Sequence, residues 1–435
     1  MRQTPTLLMW LLGFALLAIH PAHAENWPQW RGPNNDGIST ATDVPRTWSK
    51  TENVAWRLPL PGPAGSTPVI WEDRIFLTSA SGEDLVLMCI STDGSQLWSK
   101  QVSTGNRDAN RGEGNSASPS PSTDGEHVWS FFGVGDLACH TVDGEEVWKF
   151  DVQDRYGEFD IQFGMASTPV LYDGALYLQL IHGTMRGSDY TVGKVIKLDA
   201  ATGEEIWAVD RNTDASFECK HSYASPFIYN DGTTSFLVTH GADCTAGFDL
   251  TDGTELWRLN GLNGPSVFND GRHDPTFRFV ASPLVVPGSI VIPTAKRGPV
   301  VTLSVDPQMS GDITQNEQVV NWSFERTPDV CIPLIHEGLV YLADNDGQLT
   351  CLDLKTGEQL YRVRTHTAQH RASPVLADGH LYWPAKDGVT SVIKAGPEFE
   401  LVADNDIGEP IASSPVLIGN RLYLRSFDAL YAIEN

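Results

Sequence analysis

"LDAATGEEIW" (198–207) reads as the end of one short strand, a tight polar turn, and the start of a second strand that carries a tryptophan. Close copies recur as "FDLTDGTELW" (248–257) and "LDLKTGEQLY" (352–361), and looser ones as "CISTDGSQLW" (89–98) and "CHTVDGEEVW" (139–148). The glycine in each copy supplies the permissive backbone that a sharp reversal between strands needs. A second element precedes the turn in each unit: a small residue, a proline, two apolar residues, a polar turn and an apolar strand. It reads "STPVIWEDRIFL" (66–77), "STPVLYDGALYL" (167–178), "ASPVLADGHLYW" (372–383) and "SSPVLIGNRLYL" (413–424), with four looser copies. The prolines are Pro68, Pro121, Pro169, Pro226, Pro283, Pro333, Pro374 and Pro415. They mark eight units 41 to 57 residues apart, a period that signals a propeller or solenoid.

Within a unit the alternation of apolar and polar residues predicts short antiparallel strands. In the third unit these are strand A at 168–172, B at 175–181, C at 194–199 and D at 205–210. Four strands per unit make a blade, so the predicted fold is an all-β, eight-bladed β-propeller of four-stranded antiparallel blades. Proline suits the start of strand A because an innermost edge strand loses little with a missing donor. The last unit ends at "ALYAIEN" (429–435) without a turn and tryptophan, whereas "NVAWRLPL" (53–60) looks like an outer strand carrying Trp56. The N-terminal strand is therefore expected to complete the eighth blade and close the ring. Trp56, Trp98, Trp148, Trp207, Trp257, Trp322 and Tyr361 occupy the same place in their units and are read as blade-docking residues, each aromatic packing on the next blade.

The first 24 residues combine Arg2, the apolar run "LLMWLLGFALLAI" (7–19) and "AHA" (22–24), the pattern of a secretory signal peptide cleaved after Ala24. The domain reading is thus a signal peptide at 1–24, a leader or capping segment at 25–52 and the propeller at 53–435, in a periplasmic or extracellular protein. The net charge is −25, and loss of Arg2 with the signal peptide leaves −26. Such a surface repels phosphate backbones, which argues against a nucleic acid as partner.

These repeats resemble the PQQ-like, quinoprotein-type eight-bladed propellers, whose docking motif runs Ala-x-Asp-x-x-Thr-Gly-x-Glu-x-Trp. That group includes PQQ-dependent alcohol dehydrogenases and the outer-membrane assembly protein BamB with its relatives, and the likeness covers nearly all of 53–435. "NWPQWRGPNNDGIS" (26–39) is similar to the leader of PQQ-like repeat proteins of Planctomycetes-type bacteria. The resemblance implies either a binding or scaffold propeller, of the kind used in cell-envelope protein assembly, or a PQQ- or metal-dependent oxidoreductase that uses the central funnel. The dehydrogenases carry two adjacent cysteines over the quinone, and this chain has no Cys-Cys and no Cys-x-x-Cys-His. The sequence favours the non-catalytic reading, with peripheral envelope association and a protein or a small anionic ligand bound at the propeller face.

Candidate site residues follow from strand direction. B–C and D–A loops share one face, and on it fall Arg278, Lys296, Arg297, Arg371, Lys386 and Arg425, a set expected to hold a carboxylate- or phosphate-bearing ligand. His182 and His240 occupy equivalent B–C positions, and with His221 they form a candidate transition-metal set. Cys219 and Cys244 lie on the same face of the fourth unit, a candidate disulfide in an oxidising compartment. Cys89, Cys139 and Cys351 occupy matching strand C positions and read as buried small hydrophobes.

Overall fold

The computed structural model describes residues 26–109, 114–186, 190–263, 277–296 and 298–435; the expected signal peptide and Arg297 lie outside them. Eight antiparallel sheets stand around an axis. In blade 3 the strands are Val170–Tyr172, Ala175–Gly183, Thr191–Asp199 and Glu205–Asp210, so B and C run longer than the sequence pattern suggested. The eighth sheet has the order Val54–Pro59, Ala429–Ile433, Arg421–Arg425, Val416–Ile418, with the N-terminal strand outermost. Ring closure is therefore a β-pairing between the start and the end of the propeller.

Strand D is the exposed one, and a β-bulge explains its odd hydrophobic pattern. In blade 1 Cys89 pairs with Trp98 but Ile90 pairs with Gln96, so Leu97 is the extra residue and points outward, 50% exposed. Val147, Ile206 and Leu360 sit at the same bulge and are exposed for the same reason. A bulge lets two neighbouring apolar residues serve different ends and disturbs an edge on which other chains would otherwise pair.

The docking aromatics meet the next blade at its C–D turn. Trp56, Trp98, Trp148, Trp207 and Trp322 donate their indole N–H to the carbonyls of Thr92, Val142, Ala200, Leu250 and Leu354. Each indole also lies against the turn glycine of that blade: Gly94, Gly144, Gly203, Gly253 and Gly357. Gly253 shows why glycine is required, for its φ is +76° and a Cβ there would stand 2.8 Å from the Trp207 ring. Cys89, Cys139 and Cys351 are buried on strand C opposite Trp98, Trp148 and Tyr361.

Three blade junctions depart from this scheme, the mildest at blade 6, where Tyr361 packs edge-on to Phe399 of blade 7 at 5.7 Å. Blade 5 has a long insertion between strands C and D, and its residues Gly311–Asp312 add a parallel fifth strand to blade 4 at Trp257 and Arg258. Trp257 is fully buried, edge-on to Phe236 at 5.7 Å, and its indole nitrogen has no hydrogen-bond partner among the described residues. In blade 7 the docking position is Ala403. There the leader supplies the ring: Trp48 stacks on Tyr382 at 6.4 Å, much as Trp56 packs on Tyr423 in blade 8.

The axis is held by a belt of hydroxyls. The residue before each unit proline, small in the sequence pattern, is Ser or Thr in seven blades and Ile332 in blade 6. Backbone N–H groups of Thr67, Ser120, Thr168 and Ser225 donate to the hydroxyls of Ser120, Thr168, Ser225 and Ser282. Ile332, Ser373 and Ser414 donate in turn to Ser373, Ser414 and Thr67. Each bond joins adjacent blades, so the belt satisfies backbone donors where strands converge and no sheet partner is available.

The leader crosses the face opposite the B–C loops. Trp27 pairs with Ile70 of blade 1, Gln29 accepts from Leu171 N of blade 3, and Ile38 bridges to Leu376 of blade 7. The fully buried Arg31 donates to Pro374 O, and burial lowers its pKa to about 10.

Candidate functional site

All eight D–A loops meet at a pocket on the axis, about 240 Å³ in volume. Its walls are small or apolar at Gly65, Ala166, Val280, Val330 and Ala412, and its polar groups are Ser118, Tyr223, Arg278 and Arg371. Below it the channel narrows through the hydroxyl belt and ends at Trp30 of the leader.

Arg278 is the best-defined cation there. Its guanidinium lies over the Phe163 ring at 5.3 Å, within 3.7 Å of both Glu218 and Asp329. Phe163 is fixed by its N–H donating to Tyr223 Oη at 3.1 Å and by edge contact between the rings at 5.9 Å. Burial of Tyr223 pushes its hydroxyl pKa up, so it stays a neutral donor. Two arginines, a phenol and a flat ring form an environment for a planar or tetrahedral anion, with the guanidinium fork suited to its oxygens.

The other cations expected at this face are placed elsewhere. Arg425 ends strand B of blade 8 fully buried and donates to the Ser66 and Thr78 carbonyls of blade 1. It clamps the junction where the ring closes, and burial lowers its pKa to about 9. Lys296 is exposed at the rim of a separate cleft between blades 5 and 6. Lys386 is half-buried, its N–H donating to Gln369 O, and the adjacent Asp387 pairs with His366 at 2.8 Å. Of the described members of the expected set, Arg278 and Arg371 border the axial pocket.

The three histidines do not form a metal site. His221 accepts from Gln162 N at Nδ1 and lies 2.8 Å from Gly183 O at Nε2, so both ring nitrogens are engaged within the chain. His182 packs edge-on to Phe159, and burial, reinforced by His221, lowers its pKa to about 4. His240 bonds Thr245 through Nδ1, with its pKa lowered to about 3 by burial and then by Arg211. Among the described residues no group of three His, Cys, Asp or Glu side chains is placed to hold a metal. The expected disulfide fails for a similar reason. Cys219 and Cys244 are not bonded to each other: Cys219 packs with Phe227 and Tyr229 towards blade 5, Cys244 with Tyr177 and Trp207 towards blade 3.

Sequence reasoning missed Phe163, Tyr223 and Asp329, each in a D–A loop where attention went to basic and histidine residues. The hydroxyl belt is legible in the sequence, where Ser or Thr precedes the unit proline in seven of the eight units.

A family model described as outer membrane protein assembly factor BamB matches residues 40–177, 106–322 and 314–396. The chain belongs to that family. Solved structures similar to this BamB-family propeller include BamB from Moraxella catarrhalis, 14% identical, covering 87% of this chain and 99% of that one with a TM-score of 0.62. A quinohemoprotein alcohol dehydrogenase from Comamonas testosteroni is 13% identical, covering 94% and 80% with a TM-score of 0.64. A europium-containing methanol dehydrogenase is 11% identical, covering 94% and 98% with a TM-score of 0.64. At these identities the likeness shows the shared fold. Among curated proteins none matches the chain in sequence.

Proposed function

We propose that this chain is a binding and scaffold propeller of the cell envelope, exported by cleavage after Ala24, that works in envelope protein assembly. The observation that carries the reading is the axial pocket lined by Arg278 and Arg371, with Trp30 of the leader lining the cavity below it. It is built to hold an anionic group, a carboxylate or phosphate of a partner or small ligand. The BamB family membership supports the assembly role. The residues present do not fit the quinone-and-calcium centre of the dehydrogenases: the adjacent cysteines are missing, and the described residues offer no three-ligand set.

Native mass spectrometry of the protein isolated from its own envelope tests this. A co-purifying protein or anion that is lost in the Arg278→Gln/Arg371→Gln variant is the expected result. Robust dye-linked alcohol oxidation after addition of PQQ and calcium would overturn it.

A further inference from the structure

A second cleft of about 390 Å³ opens on the loop face between blades 5 and 6, beside the axial pocket. On its wall stands Asp329, a carboxylate only 6% exposed. Its Oδ2 is 3.7 Å from Arg278, and its Oδ1 accepts no hydrogen bond among the described residues. A buried carboxylate oxygen without a donor is costly and calls for an explanation. The neighbouring charges do not supply one. Arg326 is spent on Asp344 at 2.8 Å and Asp346 at 3.0 Å, and Arg362 donates to Gln348. Lys296 is exposed at the rim and forms no ion pair among the described residues.

We propose that this cleft receives a basic side chain of a partner protein, an ammonium or guanidinium that donates to Asp329 Oδ1. An anion is disfavoured beside a buried carboxylate. A divalent cation is disfavoured too, because Asp344 is already engaged by Arg326 and no third ligand completes a set among the described residues. A basic side chain on a flexible apolar stem meets the need: it enters a narrow cleft and delivers donors at the end. The acidic surface of the whole chain steers basic partners towards it. The proposal deepens the binding-propeller reading and rests on it.

The probes are the capped tripeptides acetyl-Gly-Arg-Gly-amide and acetyl-Gly-Lys-Gly-amide, titrated into the full propeller by saturation-transfer NMR. An uncharged citrulline counterpart and calcium chloride alone serve as comparisons. Both basic peptides should bind in the millimolar range, the citrulline peptide at least tenfold more weakly. Asp329→Asn should lose tenfold for the basic peptides while leaving the melting temperature within a few degrees. Equal binding of arginine and citrulline peptides to the wild type, or no binding of either, would overturn the proposal, and this comparison stands even where the variant fails to fold. Displacement of the peptides by calcium would reassign the cleft to a metal and overturn it as well. If the basic peptides fail while a partner still co-purifies from the envelope, only this site falls and the binding-propeller reading survives.

Discussion

The junction between blades 3 and 4 and the junction between blades 4 and 5 start from the same sequence signal and end differently. At the first, Trp207 crosses to Gly253 and donates to Leu250 O at 3.3 Å. At the second, Trp257 has the same strand position and the same preceding turn, but the next blade's short turn is replaced by an insertion that pairs as a fifth strand. Trp257 stays on its own sheet, over Gly247, with its indole N–H unmet among the described residues. A docking tryptophan therefore depends on a short glycine turn in the neighbour, and without that turn it becomes a core filler. Blades 5 and 6 also carry the break in the hydroxyl belt at Ile332 and the cleft at Asp329. Several departures from the repeat thus gather at blades 5 and 6, beside the cleft proposed to receive a partner.

The largest effects should fail to separate the two junctions. Trp207→Ala and Trp257→Ala each remove an indole that is 8% and 1% exposed, so each should cost about 3–5 kcal/mol in denaturant unfolding. A smaller change sharpens the contrast. Trp207→Phe removes one of two donors to the Leu250 carbonyl, which keeps the Lys197 ammonium at 2.8 Å, whereas Trp257→Phe removes a donor that has no partner among the described residues. The first should cost about 1 kcal/mol more than the second, despite its lesser burial.

Acid probes the same contrast through His182 in blade 3 and His240 in blade 4. Both have folded pKa values, about 4 and about 3, below the unfolded value near 6.5. The unfolded chain therefore binds more protons between those values. Stability present above pH 6.5 should fall as pH drops towards 4, by up to about 1.4 kcal/mol per pH unit for each histidine. His240 lies edge-on to Phe279 of the next blade's loop at 4.9 Å, so hydrogen exchange at pH 5 should rise first between blades 4 and 5. His240→Gln should flatten the pH dependence of the melting temperature. An unchanged slope would show that His240 is not among the groups that take up protons.

The blade count, the strand order and the closure by residues 53–60 were legible because period, turn residues and proline recur along the chain itself. The site was less legible because strand direction tells which face a residue nears, not whether its side chain ends there. Arg425 shows the difference: it lies at a B–C boundary yet turns inward to carbonyls of blade 1. Cys219 and Cys244 share a face in sequence reasoning, but Cys219 sits in a short helical turn, Phe217–Lys220, packed towards blade 5, while Cys244 starts strand C and packs towards blade 3. Trp48 was invisible for another reason. It fills the place of the docking residue missing from blade 7, where Ala403 stands, from more than three hundred residues away in the chain.

The claim that the tryptophan docks through the neighbouring turn is tested most directly by a double-mutant cycle between Trp207→Ala and Gly253→Ala, read by equilibrium unfolding. Gly253→Ala should be costly when the indole is present, because the new Cβ would stand 2.8 Å from it, and cheaper by about 1 kcal/mol or more once the ring is gone. The matched cycle with Trp257→Ala should be additive within about 0.5 kcal/mol. Additivity in the Trp207 cycle, or equal coupling in both, would contradict the account.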